Sequence, residues 1–142
     1  VAGDALSALR RLRALEVEAV LRDLADHIQQ EARARTAVAT LTADLARESD
    51  LVRALSASDP RDTPSERWQA RMREAIAEAT TRADNAVAEI DSARTRLGAA
   101  RGALRAVEVA LDQRAAVRAV VTARRTQDEL DDIARHNGGR AG

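Results

Sequence analysis

Apolar residues recur along this chain at alternating intervals of three and four, the period of a helix that buries one stripe. In the second half the larger positions of the stripe are Ile76, Ala83, Ile90, Leu97, Leu104 and Leu111. Three residues after the first five of these stand Ala79, Ala86, Ala93, Ala100 and Val107. This is an a/d seam sustained over several heptads, with small residues on one side. The first half repeats the pattern with Val17, Leu24, Val38, Leu45 and Val52, interrupted by Glu31, and Leu21 and Ile28 are read as part of the same stripe.

Between the two halves lies SASDPRDTPSERW, which holds Pro60 and Pro64, the chain's 2 prolines. It is the strongest breaker signal in the sequence. Ser65 is a candidate cap for the helix that follows. The pattern therefore predicts one domain over 1–142: a helix over about 4–57, a turn over about 58–64 and a helix over about 65–136. Asn137-Gly138-Gly139 supplies the stop, followed by a short disordered tail. Antiparallel pairing with facing positions that sum to about 121 sets Val17 on Leu104, Leu24 on Leu97 and Leu45 on Ile76. It also sets Leu21 on Ala100 and Ile28 on Ala93. The centre of that pairing falls between Pro60 and Arg61, where the breakers independently place the bend. The expected fold is all-α: a long antiparallel two-helix coiled-coil hairpin with unequal arms, roughly 80 Å and roughly 105 Å long at 1.5 Å per residue.

Composition narrows what such a hairpin can do. The chain has no Phe, Tyr or Cys, 1 Trp and 1 Met, so Leu, Val and Ile must build the core among small alanines. Neither a deep core nor a ligand-sized cavity is expected. The 23 basic residues, all Arg, balance 23 acids, which argues against nucleic acid as a partner. Absence of Cys removes thiolate metal sites and fits a cytoplasmic protein. No apolar run approaches the roughly 18 residues of a membrane span, and VAGDALSALRRLRAL alternates charge and Leu, unlike a secretory signal.

Each candidate site has a plain structural explanation beside it. His27 sits beside the seam and His136 near the end, without the partners a metal centre needs. No nucleophile, base and orienting group come together as a catalytic set, and no glycine-rich phosphate loop occurs. No cofactor and no enzyme activity are expected. Gly98 and Gly102 read as places of close helix approach or local flexibility. Glu31 and Arg35 are read as reaching past Ala86 and Ile90 to solvent, or as fixing register. Trp68, one turn beyond the bend, is either a plug that closes the hairpin tip or an anchor for a partner.

The end of the longer arm is different. The first arm runs out opposite residue 117, leaving some twenty residues uncovered, and the seam positions turn charged: Arg114, Arg118, Val121, Arg125, Asp128, Asp132. A second line, Ala116, Val120, Ala123, Gln127, Leu130 and Ala134, follows the opposite face. An isolated helix of that length is marginal in water. The segment is either a solvated, fraying end or a face that awaits another protein. Pairs such as Arg124–Asp128 and Arg125–Glu129 contribute only about 0.3 kcal/mol each, so helix stability does not explain this charge density. A complementary charged socket does.

At this end the chain resembles the FliJ family of flagellar type III export proteins. The likeness rests on the run from Arg124-Arg125 through Gln127 to Leu130-Asp131-Asp132-Ile133-Ala134-Arg135, with ALRAVEVALDQR upstream. ALSALRRLRALE at the start and SERW after the bend add to it. The chain departs from the family in having no Lys, Phe or Tyr, and in carrying Asp132 where Glu is usual. The resemblance implies a cytoplasmic, non-enzymatic stalk at the inner face of the export apparatus, peripheral to the membrane through its partners and a single copy in isolation. Arg114, Arg118, Val120, Arg124, Arg125, Gln127, Leu130, Asp131 and Asp132 would face the hexameric export ATPase. Trp68, Met72, Leu51 and Leu55, at the tip, would face the cytoplasmic domain of the export gate. Export chaperones are further candidates. The equivalent stalk of a virulence injectisome, or a coiled-coil scaffold or dimerisation protein, would share the same architecture.

Overall fold

The computed structural model describes residues 2–56 and 64–141, with side chains over 5–55 and 66–141. Two elements account for nearly all of it: α1 (Ala2–Ser56) and α2 (Pro64–Arg140), of 55 and 77 residues. The chain is an all-α helical hairpin with arms of unequal length. The bend placed at Pro60 and the side chain of Ser65 lie outside the described residues. Helix α2 opens on Pro64, whose missing N–H belongs to a first turn that has no intrahelical acceptor for it. Ser65 is therefore inside the helix and not its cap.

The chain divides into two compact units, one of residues 18–98 and one of residues 1–17 with 99–142. In the first, α2 buries Ala79, Ala83, Ala86, Ile90, Ala93 and Leu97, spaced four and three throughout. Opposing α1 residues Leu24, Val38, Leu45 and Val52 are half-buried. Small alanines vanish under larger partners while those partners keep an edge in water, and among the described residues no large side chain is wholly enclosed. The arms run antiparallel: Arg96 donates to Asp23 Oδ2 at 2.5 Å, and His27 Nε2 lies 3.9 Å from Glu89. Residues 23 and 96 sum to 119, within about one half-turn of the expected register.

The second line of α1 differs from the sequence reading. Leu21 and Ile28 are 39% and 45% exposed, whereas Val20 and His27 are half-buried in their place. An antiparallel pair related by a two-fold repeats the same order of spacings in both arms. Because α2 sets its second line three residues after its large positions, α1 must do so too, at 20 and 27 rather than 21 and 28. His27 therefore lies in the seam, with Nε2 3.3 Å from Asp23 and a buried Nδ1 that has no hydrogen-bond partner. Glu31 also stays in the seam, its side chain 17% exposed, and it accepts from Arg35, which reaches solvent.

Alanines at 34, 37 and 86 thin the seam enough to leave a groove of 510 Å³, edged by Arg33, Arg82 and Glu89. A depression of that size departs from the expectation, drawn from composition, that the hairpin holds no ligand-sized cavity. Gly98 is not a point of close approach, since a Cβ built there meets nothing within 4 Å.

In the terminal unit α1 lies along residues 99–111. Leu6, Arg13 and Val17 are half-buried, as are Ala100, Leu104 and Leu111, and Val107 is buried. Arg10 shares a shallow groove with Arg105, Glu108 and Asp112. Gly102, like Gly98, faces open space. Burial stops at Leu111, six residues before the expected end of cover. The Asn137-Gly138-Gly139 stop does not act as one: α2 continues to Arg140 and neither glycine takes the positive φ of a helix-ending turn.

Candidate functional site

From Asp112 to Ala141 every residue is exposed. About 29 of those residues are helical, roughly eight turns of helix without a covering partner. All the residues singled out at this end lie on this helix. Arg114, Arg118 and Arg125 continue the line that is buried earlier in α2, so they occupy one face. Val120, Gln127 and Leu130 lie on the opposite face. Arg124 and Asp131 flank them.

The guanidinium groups at 118, 124 and 125 make no ion pair among the described residues, and the Arg124–Asp128 and Arg125–Glu129 pairs do not form. Two of the four acids that follow are paired locally instead. Gln127 Nε2 donates to Asp131 Oδ1 at 2.9 Å, and Asp132 sits 3.6 Å from Arg135. Arg114 and Arg118 edge a shallow groove with Ala110, Gln113 and Val117. Around the arginines the apolar side chains of Val117, Val120 and Val121 are 62%, 51% and 52% exposed, and Leu130 and Ile133 are 55% and 57% exposed. Sequence reasoning left out Val117 and Ile133; the signal was their place beside the second line, one position from Ala116 and Ala134.

The arrangement suits protein docking. Valines spaced three and four provide dry contact area, and planar guanidinium forks at their edge add direction and charge. A basic band over 114–125 precedes an acidic band over 128–132, so a matching surface must carry the opposite order of charge.

The four tip residues fall into two kinds. Trp68 and Met72 are half-buried. Leu51 and Leu55 are 59% and 62% exposed. Among the described residues there is no group of three or more His, Cys, Asp or Glu able to hold a metal ion. Among the described residues no helix is long and apolar enough to cross a membrane.

A two-helix hairpin whose longer arm ends in a bare, charged helix defines the class: an all-α coiled-coil hairpin with unequal arms. Within that class, residues 3–142 match the family described as Flagellar FliJ protein. The chain belongs to the FliJ family, a non-catalytic component of flagellar export. Neither the curated proteins nor the solved structures contain a match.

Proposed function

We propose that this chain is the central stalk of the flagellar type III export apparatus. Its exposed end enters the hexameric export ATPase, its tip contacts the cytoplasmic domain of the export gate, and the link between them promotes secretion. The observation that carries the reading is the uncovered helix from Asp112 onward, with guanidinium groups at 118, 124 and 125 that no neighbouring acid takes up. Membership of a flagellar family supports this reading over the injectisome stalk. At the other end, Leu51 and Leu55 offer apolar surface to the gate beside Trp68 and Met72.

The test is charge reversal at Arg124 and Arg125, both to Glu, with binding to the export ATPase of the same genome measured by titration. Affinity falls roughly tenfold or more, as for charges facing an acidic rim, while circular dichroism shows unchanged helix content. Wild-type affinity in the double variant would remove the ATPase from the proposal.

A further inference from the structure

Helix α2 carries a second heptad line on its outer side. Ala99, Gly102, Ala106, Val109, Gln113, Ala116, Val120, Ala123, Gln127, Leu130 and Ala134 follow one another at intervals of three and four. None is charged, in a chain where 32% of residues are, and all are exposed. The line begins where the inner face is still paired with α1 and runs on past the point where that pairing ends. It is therefore a docking face of its own and not a leftover of the hairpin seam.

We propose that this line is an antiparallel dimer seam, and that its occupant is the same line on a second copy of the chain. With the two-fold axis at Ala116, Leu130 of one copy falls on Gly102 of the other and Val109 on Ala123. The second column pairs Gln113 with Val120, Ala106 with Gln127 and Ala99 with Ala134. Every large apolar residue thus meets a small one or an amide, the large-on-small rule that the hairpin itself follows. Sliding one heptad in one direction sets Leu130 on Val109; sliding in the other carries it beyond the stripe. Glycine weakens an exposed helix relative to alanine, and Gly102 has only open space before it. A leucine arriving from another copy gives that glycine a purpose that nothing within the chain supplies.

Flanking charges agree with this register. Arg124 falls beside Ala110, Asp131 beside Ala103, Arg105 beside Thr126 and Asp112 beside Ala119, while Arg101 is placed opposite Glu129. No like charges meet. The seam includes Val120, Gln127 and Leu130, so the dimer and the docked stalk exclude one another. The free chain is then a pair, and engagement of the ATPase releases single copies, in place of the single free copy that the family resemblance implied.

The chain has no cysteine, so single-cysteine variants of the full chain can be spin-labelled at one site. With Ala116→Cys, pulsed dipolar spectroscopy on the free protein gives one short distance between copies, because position 116 lies on the axis. With Ala134→Cys, the labels stand about 54 Å apart, twice 18 residues at 1.5 Å each. A third variant, Gly102→Leu with the label at 116, fills the socket for Leu130; the short distance then disappears, and sedimentation shifts to single copies. Absence of any dipolar signal between copies, or short distances at both 116 and 134 as in a parallel pair, would overturn the proposal. Neither result bears on the Arg124 and Arg125 titration, so the two ideas fail separately.

Discussion

Two stretches of α2 obey the same three-and-four spacing with opposite outcomes. Between Ala79 and Leu97 the line is alanine, isoleucine and leucine, and α1 buries it. Beyond Asp112 the continuation of that line is mainly arginine and aspartate, and all of it is exposed. The backbone is helical in both. What changes is whether removal of the line from water is favourable, which for alanine and isoleucine it is and for guanidinium and carboxylate groups it is not. Past its cover α2 runs on through 112–136, a stretch with neither Gly nor Pro to break it.

The widest gap between the stretches should come from one substitution made in each. Ile90→Ala removes a side chain that is 8% exposed and lowers stability by about 2 kcal/mol, near the lower bound for core truncations because a two-helix seam relaxes easily. Ile133→Ala, at 57% exposure, stays within about 0.5 kcal/mol. Urea unfolding of both variants measures the difference; equal effects would mean that the terminal helix is packed against something in the free protein.

A smaller effect, of opposite sign, is expected at Gly98. Because a Cβ there meets nothing, Gly98→Ala raises stability by about 0.5–1 kcal/mol through helix propensity and a less flexible unfolded chain. A loss in the thermal midpoint would show that the seam needs this glycine after all.

The smallest effect belongs to the ion pair that ties the arms. The hydrogen bond from Arg96 is the chief cause that holds the Asp23 carboxyl below the ordinary carboxylate value, with lesser help from the His27 and Arg96 charges against some desolvation. A folded-state value below the unfolded one of about 3.9 means that the contribution is complete above that pH and fades as pH falls through the folded value. Asp23→Asn is therefore slightly less stable than wild type at neutral pH, and the difference closes in acid. Unfolding midpoints that stay separated in acid would contradict this.

Much of this architecture is legible in residue order. The α2 seam from Ile76 to Leu111 and the switch to charge after 111 follow from spacing and side-chain chemistry. The second line of α1 does not. Val20 and Leu21 are both apolar and both one step from the first line, and only the two-fold relation between arms selects Val20. That same relation draws His27 into the seam, a placement no hydrophobic pattern favours. The extent of cover also exceeded what the pattern could show. A heptad pattern marks which positions face a partner helix, not how far along that helix each is covered. At the docking end, pattern identified the arginines, but the absence of the Arg124–Asp128 and Arg125–Glu129 pairs is a matter of side-chain geometry.

The central claim is that the helix beyond Asp112 is uncovered in the free chain and becomes covered by the export ATPase. Hydrogen exchange measures this directly, in solution dilute enough for single copies. Amides over 76–107 should exchange slowly with or without the ATPase. Those over 112–140 should exchange fast in the free chain and become protected when the ATPase is added. Protection gained over 66–98 instead, or none gained over 112–140, would contradict the account.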